Sequence, residues 1–461
     1  MSRFKRLCTG ALALAMALCA TGCSAFLAED DLYLLPKMPE DYQDLTEQIQ
    51  AVINQGAEFS APLTGENIQN IQLQDLDGDG VAESALAFFR MSGEEKPLKI
   101  YIYHQSRDAY ELQSVIEGAG TNINTIAYEN LDDNPDRELI VSWQISEKVH
   151  LLSAYSVSPG QVVEIFSTDY TNFSVFDMDQ DNEQEIMVLK AASEGGGDME
   201  LYDFQDGMMQ LQSTAPLSTG VTNVSEDSDL RRGYLRDYVP ALFLTSSFGE
   251  NGNSSVTDIF AWDPDEATLR NITLDEALGF SSSTWGYYSV VSPTDIDKDS
   301  IMEIPSSTAI QEYRQTSSAP NFWINRWSKY DLEGNAWPVF TTYYNSQDGW
   351  YLILPEHWLG KITLSRNDAA GGGERAVVFS YWEGDNDVAP IPFLTIYRLS
   401  GSNREARASL PGRFLLGDSG EDEPSVLYAA RFEENSWDCG LDEESLKEQF
   451  QIIRTDWDSL Y

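Results

Sequence analysis

Residues 75–83 carry oxygen ligands at the spacing of a metal-binding loop. The backbone must turn sharply for side chains at positions 1, 3 and 5 to converge, and Gly80 at position 6 allows that turn at no steric cost. A carbonyl at position 7 and a carboxylate at position 9 would complete an oxygen cage for a hard cation such as calcium. The ligands predicted for this first loop are Asp75, Asp77, Asp79, Val81 through its carbonyl, and Glu83.

The nine-residue pattern returns three more times along the chain. Chance matches in an acidic sequence would not also place Glu at position 9 with an apolar run after it each time. The first loop has the strongest case for metal, and the second has the weakest because Pro135 replaces the glycine. The predicted ligands are Asn130, Asp132, Asn134, Asp136 and Glu138 in the second loop, Asp177, Asp179, Asp181, Glu183 and Glu185 in the third, and Asp295, Asp297, Asp299, Ile301 and Glu303 in the fourth.

The segments around the loops are β-like, so each loop is predicted to join two strands. An EF-hand would need a helix on either side and Glu at position 12. Position 12 instead holds Leu86, Val141, Val188 and Ser306.

These loops resemble those of FG-GAP or VCBS repeats in integrin-like β-propellers, where an Asp-x-Asp-x-Asp-Gly loop lies between two strands of a blade. The resemblance covers roughly residues 60 to 335, and its specific part is the loop. It implies an extracytoplasmic bacterial protein built as a calcium-loop propeller.

The spacing of the loops predicts about five repeat units. The last gap is about twice as long as the others, so a unit without metal ligands is expected near Gly233 to Asp237, followed by a strand from Val239 to Thr245. Each unit has room for four strands; in the second these are residues 123–128, 139–143, 151–157 and 162–167. The expected fold is all-β, a propeller of about five blades over residues 59–338, followed by a smaller α+β domain over residues 339–461.

The first 58 residues are predicted to precede the propeller. Residues 1–23 have basic residues, an apolar run and Ala-Thr-Gly before Cys23, which looks like a bacterial lipoprotein signal acylated at that cysteine. A plain secretory signal is the better alternative, because the run is too short for a transmembrane anchor. A tether and a helix with Leu45, Ile49 and Val52 on one face fill residues 24–58, with Gly56 as its stop. The protein is therefore expected on the outer face of the bacterial cell membrane.

Composition also limits the classes of partner and the cross-links that are expected. The 461 residues include 29 Lys and Arg against 75 Asp and Glu, for a net charge of −46, so nucleic acid is a poor partner. Cys439 alone remains after the leader is removed, so no internal disulfide can form and calcium would be the cross-link of the chain.

Catalytic patterns are weak. Gly417-Asp418-Ser419-Gly420 matches a serine-protease tetrapeptide, but no histidine lies in a catalytic context, and an acidic turn is the better interpretation. The favoured hypothesis is a non-catalytic, lipid-anchored calcium-binding propeller that binds an envelope protein or glycan. The alternatives are an envelope polysaccharide or peptide hydrolase or lyase with a carboxylate site in the propeller funnel, and an accessory subunit of a surface complex.

Overall fold

The computed structural model describes residues 42–453, except 107–108, 133, 159, 194, 223, 226–227, 250–251, 253, 288–290, 316–320, 369–372, 421–424 and 436. Cys23 and the predicted tether over residues 24–39 lie outside the described residues. Within this part of the chain, no helix has the length and apolar character needed to cross a membrane.

The described chain is mostly β, in six antiparallel sheets that follow one another along the sequence. Helix α1 (Gln43–Asn54) precedes them, with Leu45, Ile49 and Val52 buried as predicted. The first sheet contains β1 (Ala57–Phe59), β2 (Ile71–Gln74), β3 (Ser84–Met91), β4 (Leu98–Ser106) and β5 (Ala109–Gly118). The second contains β6 (Asn122–Glu129), β7 (Glu138–Ser146), β8 (Val149–Ser158) and β9 (Gln161–Tyr170), so the four strands expected in this unit are confirmed.

The third and fourth sheets continue the pattern. The third contains β10 (Asn172–Phe176), β11 (Glu185–Ala191), β12 (Gly197–Gln205) and β13 (Met208–Pro216). The fourth contains β14 (Val221–Thr222), β15 (Asp229–Tyr234), β16 (Pro240–Phe248), β17 (Ser254–Asp263), β18 (Thr268–Asn271) and β19 (Gly286–Tyr287). A short turn joins β15 to β16, where the sequence predicts the unit without ligands.

The fifth and sixth sheets complete the described chain. The fifth contains β20 (Ile304–Ala309), β21 (Trp323–Tyr330), β22 (Ala336–Asn345) and β23 (Trp350–Ile353). The sixth contains β24 (Ile362–Arg366), β25 (Glu374–Tyr381), β26 (Ile391–Leu399), β27 (Phe414–Asp418) and β28 (Leu427–Phe432), with helix α2 (Arg404–Ala408) between β26 and β27. Helix α3 (Glu443–Gln449) and β29 (Phe450–Ile452) follow, and β29 returns to pair with β23.

Two boundaries differ from the sequence prediction. The predicted division between residues 338 and 339 falls inside β22, because the fifth sheet continues to Ile353 through ladder hydrogen bonds. The sequence predicts a helix that starts at Asp442 and has Leu446, Phe450 and Ile453 on one face, whereas α3 ends at Gln449 and Phe450 begins a strand. Apolar spacing alone placed Phe450 on the helix, but it fills the core between the fifth and sixth sheets.

Hydrophobic clusters lie between successive sheets. Each of the first four sheets has one strand that is buried on both faces along a continuous apolar run, as expected for a sheet covered on both sides. These strands are β3, β7, β11 and β16. On the first sheet, Phe89 packs against α1 while Phe88 packs toward the second sheet. Residues that share a cluster across the later interfaces include Ile140 and Val188, Leu189 and Leu242, Phe243 and Ile304, and Tyr343 and Phe379.

Candidate metal-binding loops

The four acidic loops occupy equivalent places in the fold. Each of the first three loops joins two antiparallel strands that pair with each other in one sheet: β2 to β3, β6 to β7 and β10 to β11. The fourth loop is closed by a bridge between Thr294 and Glu303 and leads into β20. The prediction that each loop joins two strands is therefore confirmed for the first three loops, whereas the fourth is preceded by a single bridged residue, Thr294.

The backbone of the first, third and fourth loops turns in the same way. Position 6 has a positive φ in all three, at Gly80 (90°), Asn182 (78°) and Ser300 (70°). Position 4 does as well, at Gly78 (70°), Gln180 (68°) and Lys298 (66°). The sequence predicts a positive φ at position 6. The positive φ at position 4 was not predicted, because two of the three loops have no glycine there.

Backbone amides hold the carboxylates of these three loops in place. The position-6 amide donates to the position-1 carboxylate, at 2.9 Å for Gly80 to Asp75, 3.1 Å for Asn182 to Asp177 and 2.8 Å for Ser300 to Asp295. The amide of position 7 donates to the carboxylate of position 5: Val81 to Asp79 (2.8 Å), Glu183 to Asp181 (2.8 Å) and Ile301 to Asp299 (3.1 Å). The amides fix the direction of the side chains, so their remaining oxygens lie on one side of the turn.

The glutamate at position 9 is buried in three of the loops. Glu138, Glu185 and Glu303 are at most 1% exposed. One oxygen of each accepts the amide of position 2, at 3.0 Å from Leu131, 2.6 Å from Met178 and 2.8 Å from Ile296. Burial raises the pKa of Glu138 to about 7 and those of Glu185 and Glu303 to about 8. Burying an ionised carboxylate costs free energy, and this cost is offset when a cation or several hydrogen-bond donors face the carboxylate.

The first loop gathers four carboxylates. One oxygen from each of Asp75, Asp77, Asp79 and Glu83 lies within 4.8 Å of the others. Oδ1 of Asp75 and Oε2 of Glu83 are buried and accept no hydrogen bond from the described residues. Burial also raises the pKa of Glu83. This group could hold a metal ion.

The third loop gathers three carboxylates around a buried oxygen. Asp177, Asp179 and Glu185 each have an oxygen within 4.8 Å of the other two. The second oxygen of Glu185, Oε1, is buried and has no hydrogen-bond donor among the described residues. Asp181, predicted as a ligand, lies outside this group, although it accepts the Glu183 amide just as Asp79 and Asp299 accept the corresponding amides of their loops. A bound cation would offset the desolvation of this oxygen, so these residues fit a metal ion.

The second loop is built differently. Pro135 has no N–H for the position-1 side chain, and its ring holds φ near −65°, where the other loops have a positive φ. Asp132 is buried and accepts two hydrogen bonds from Asn134, one from its backbone at 2.8 Å and one from its side-chain amide at 3.1 Å. Asn134, predicted as a ligand, therefore supplies a donor to Asp132. Among the described residues, the acidic side chains of this loop form no group comparable to those of the other loops.

The fourth loop contains a cation of its own. Asp295, Asp297 and Asp299 converge like the first and third groups. Lys329 of β21 enters this group, with its Nζ 2.9 Å from Asp297, in contact with Asp299, and 3.3 Å from Oε1 of Glu303. Burial acts to lower the pKa of Lys329, but the hydrogen bonds to Asp299 and Asp297 outweigh it and raise the pKa. The sequence did not identify Lys329 as part of this site because it lies on a later strand, outside the loop. Only the pairing of β20 with β21 places it beside the loop.

The loops touch one another along one edge of the stacked sheets. The position-8 amide of one loop donates to a backbone carbonyl of the loop before it, as Arg137 does to Leu76 at 2.7 Å and Gln184 does to Asn130 at 3.0 Å. In the fourth sheet, Tyr234 takes the corresponding place and accepts the amide of Met302 at 2.9 Å. At Gly78, an added Cβ would meet the carbonyl oxygen of Pro135 at 2.1 Å, so a side chain there would separate the first two loops. The loops thus form a continuous row.

A cavity of about 750 Å³ lies beside β24, away from the loops. Among the described residues that line it, one is a carboxylate, Glu312, which accepts hydrogen bonds from the backbone and side chain of Asn321. This cavity does not supply the two carboxylates that the hydrolase alternative requires. The serine-protease tetrapeptide is a turn at the end of β27, where the amide of Gly420 donates to Asp418 at 2.9 Å.

No protein-family model and no curated protein sequence matches the chain. Among solved structures, an exotype rhamnogalacturonan lyase shares 11% identity, with 71% of each chain covered and a TM-score of 0.25. A proposed 6-phosphogluconolactonase from Bacteroides fragilis shares 12% identity over 70% of this chain and 83% of that one, with a TM-score of 0.27. Another, from Bacteroides uniformis, shares 10% over 74% and 84%, with a TM-score of 0.28. Likeness at these TM-scores carries no argument about what this chain does.

Proposed function

We propose that the protein is a calcium-braced, non-catalytic scaffold of the bacterial cell envelope, anchored through Cys23 and presenting a row of loops to an envelope protein or glycan. The observation that carries the calcium assignment is the unpartnered, buried oxygen of Glu185 beside Asp177 and Asp179. The donors of the first and third loops are all oxygens, the ligand type that hard cations prefer.

Calcium in these loops acts as a brace rather than as a reagent. Without a cation, the carboxylates of each loop repel one another across less than 4.8 Å. The loops join the first and second strands of their sheets and touch their neighbours, so neutralising them stabilises both the sheet and the contact to the next one. The first five sheets are then blades of a propeller-like array whose loops share one edge.

The envelope assignment rests on the sequence before residue 42. The residues up to Cys23 resemble a lipoprotein signal, and the strong negative charge suits a protein that is exported rather than one that binds nucleic acid. Calcium modules outside cells bind at about 10⁻⁴ to 10⁻³ M, a range that fits exposed loops of this kind. A scaffold role follows from a regular array with a surface row of loops.

Thermal unfolding of the full chain tests this proposal. At free calcium about tenfold above the dissociation constant, each occupied loop adds roughly 1.4 kcal/mol to the free energy of unfolding, or roughly 3 kcal/mol for two loops. EDTA is expected to lower the midpoint by several degrees, and calcium to restore it. The second arm is a pull-down from the native envelope with calcium or with EDTA, in which the partner is expected only with calcium. An unchanged midpoint after complete metal removal would contradict the brace.

A further inference from the structure

The residue opposite position 9 differs among the four acidic loops. In each case the strand that follows the loop pairs with the next strand along the chain, and the residue across from the position-9 glutamate lies one step beyond a pair of this ladder. These pairs are Ser84 with His104, Leu139 with Tyr155, Ile186 with Tyr202, and Ile304 with Ser328. The residues opposite position 9 are therefore Gln105, Ser156, Asp203 and Lys329, in loop order.

Lys329 places a cation inside the oxygen group of the fourth loop. Its ammonium lies 2.9 Å from Asp297 and 3.3 Å from Glu303, and it also contacts Asp299. The lysine side chain is 14% exposed and Glu303 is fully buried, while Asp297 and Asp299 lie on the outer side of the cluster with side chains 25% and 41% exposed. The Oε1 atom of Glu303 lies 3.3 Å from the ammonium as an ion pair without accepting a hydrogen bond from it, whereas the corresponding atom of Glu185 has neither a donor nor an ion-pair partner among the described residues.

We propose that the fourth loop takes no calcium because the ammonium of Lys329 permanently replaces the metal. The proposal rests on the proposed function in one respect, that the equivalent first and third loops do bind calcium. An ammonium and a divalent ion repel strongly at the few ångströms that this cluster allows, so the two cannot share it. The ammonium donates hydrogen bonds to Asp297 and Asp299 and forms an ion pair with Glu303, and the loop keeps the backbone turn of the first and third loops.

This substitution divides the array into a calcium-dependent part and a calcium-independent part. The first and third loops brace the sheets nearest the N terminus. The fourth loop leads into the fifth sheet, which packs against the sixth through Tyr343 and Phe379. The C-terminal half would therefore hold its loop geometry when calcium is scarce, while the first three sheets would loosen.

Exchanging the residue opposite position 9 tests the proposal. The measurement is the number of calcium ions bound per full chain, by equilibrium dialysis after metal removal, and the expected number for the wild type is two. Lys329→Gln copies the first loop and should raise the number to three, whereas Gln105→Lys copies the fourth loop and should lower it to one. Lys190→Gln is the matched control, because Lys190 pairs with Asp169 and Glu200 outside the loops. That control should still bind two ions.

Asp297→Asn in the wild-type chain gives a second test that does not require Lys329→Gln to fold. Asp297 is part of the acidic group, so its loss should leave the calcium number at two if lysine occupies the loop. A fall by one ion would overturn the proposal, as would a Lys329→Gln chain that folds and still binds two. If neither the wild type nor any variant binds calcium, the proposed function itself fails. If the wild type binds three and Asp297→Asn binds two, this inference alone fails.

Discussion

The second and third loops connect equivalent strands of neighbouring sheets and bury their position-9 glutamates in the same way. Glu138 and Glu185 each accept the amide of position 2 and keep a second oxygen without a donor among the described residues. The loops differ at position 6, where Asn182 has a φ of 78° and Pro135 cannot adopt a positive φ. The carboxylates of the third loop converge, and those of the second do not form such a group within the described chain.

This difference shows that backbone donors, and not only the acidic residues, decide whether the carboxylates of a turn converge. The amide of Asn182 holds Asp177 in place at 3.1 Å, and proline has no amide to offer at that position. The second loop instead satisfies its buried Asp132 internally, through Asn134. The second loop thus stabilises its buried carboxylate with amide hydrogen bonds, and the fourth loop pairs its carboxylates with a lysine.

The largest expected effect comes from placing the proline of the second loop into the third. Asn182→Pro imposes a φ near −65° where the chain has 78° and removes the hydrogen bond to Asp177. The expected cost is on the order of 3 kcal/mol in the free energy of unfolding, together with the loss of one calcium ion per chain. Chemical denaturation and calcium dialysis measure the two quantities.

Asn182→Gly is the matched control. Glycine accepts a positive φ and keeps the amide that bonds to Asp177. The calcium number should stay the same, and stability should remain within about 0.5 kcal/mol of the wild type. A proline variant that binds as many ions as this control would show that the position-6 amide is not what organises the third loop.

A smaller effect is expected from the reverse exchange in the second loop. Asn130→Asp together with Pro135→Gly restores the position-1 carboxylate, the position-6 amide and the freedom to adopt a positive φ. The double variant should gain one calcium ion per chain and about 1.4 kcal/mol of stability at a tenfold excess of calcium over the dissociation constant. Asn130→Asp alone should gain no ion, because Pro135 still removes the donor. Calcium binding by that single variant would contradict the role given to position 6.

The sequence was most informative where local chemistry and β-periodicity act together. The four strands of the second sheet and the strand expected from Val239 to Thr245 lie where they were predicted. The domain boundary at residue 338 was misplaced because β22 bridges a change in composition with unbroken ladder pairing. Strand β27 and helix α2 were not predicted, and their placement depends on tertiary contacts: α2 packs on Tyr397 and Ala429 through Ala408.

The sequence predicted where the four acidic loops lie but not how they differ from one another. Ligand spacing located all four, and Pro135 already marked the second as the weakest. Lys329 could not be connected to the fourth loop, since only the register of β21 against β20 brings it opposite Glu303. The positive φ at Gln180 and Lys298 likewise reflects the closure of the whole turn and has no local residue signal.

The smallest expected effect is a difference in how pH changes the stability of the two loops. In the metal-free chain, burial raises the pKa of Glu138 to about 7 and of Glu185 to about 8, above the ordinary value of 4.5. Between 4.5 and these values the folded state binds more protons than the unfolded state, so stability should fall as pH rises from 5 to 8. Each group contributes a slope of at most about 1.4 kcal/mol per pH unit. Denaturation in EDTA across this range measures the slope.

Glu138→Gln and Glu185→Gln separate the two contributions, since each variant should flatten the metal-free slope by the share of one group. Saturating calcium should remove the contribution of Glu185, because a bound cation keeps that carboxylate ionised in the folded state as well. The contribution of Glu138 should persist, because Pro135 keeps the second loop from organising a metal site. With calcium, the slopes of the wild type and Glu185→Gln should therefore coincide while Glu138→Gln stays flatter. If calcium also removed the difference for Glu138→Gln, the second loop would bind metal and the contrast between the two loops would not hold.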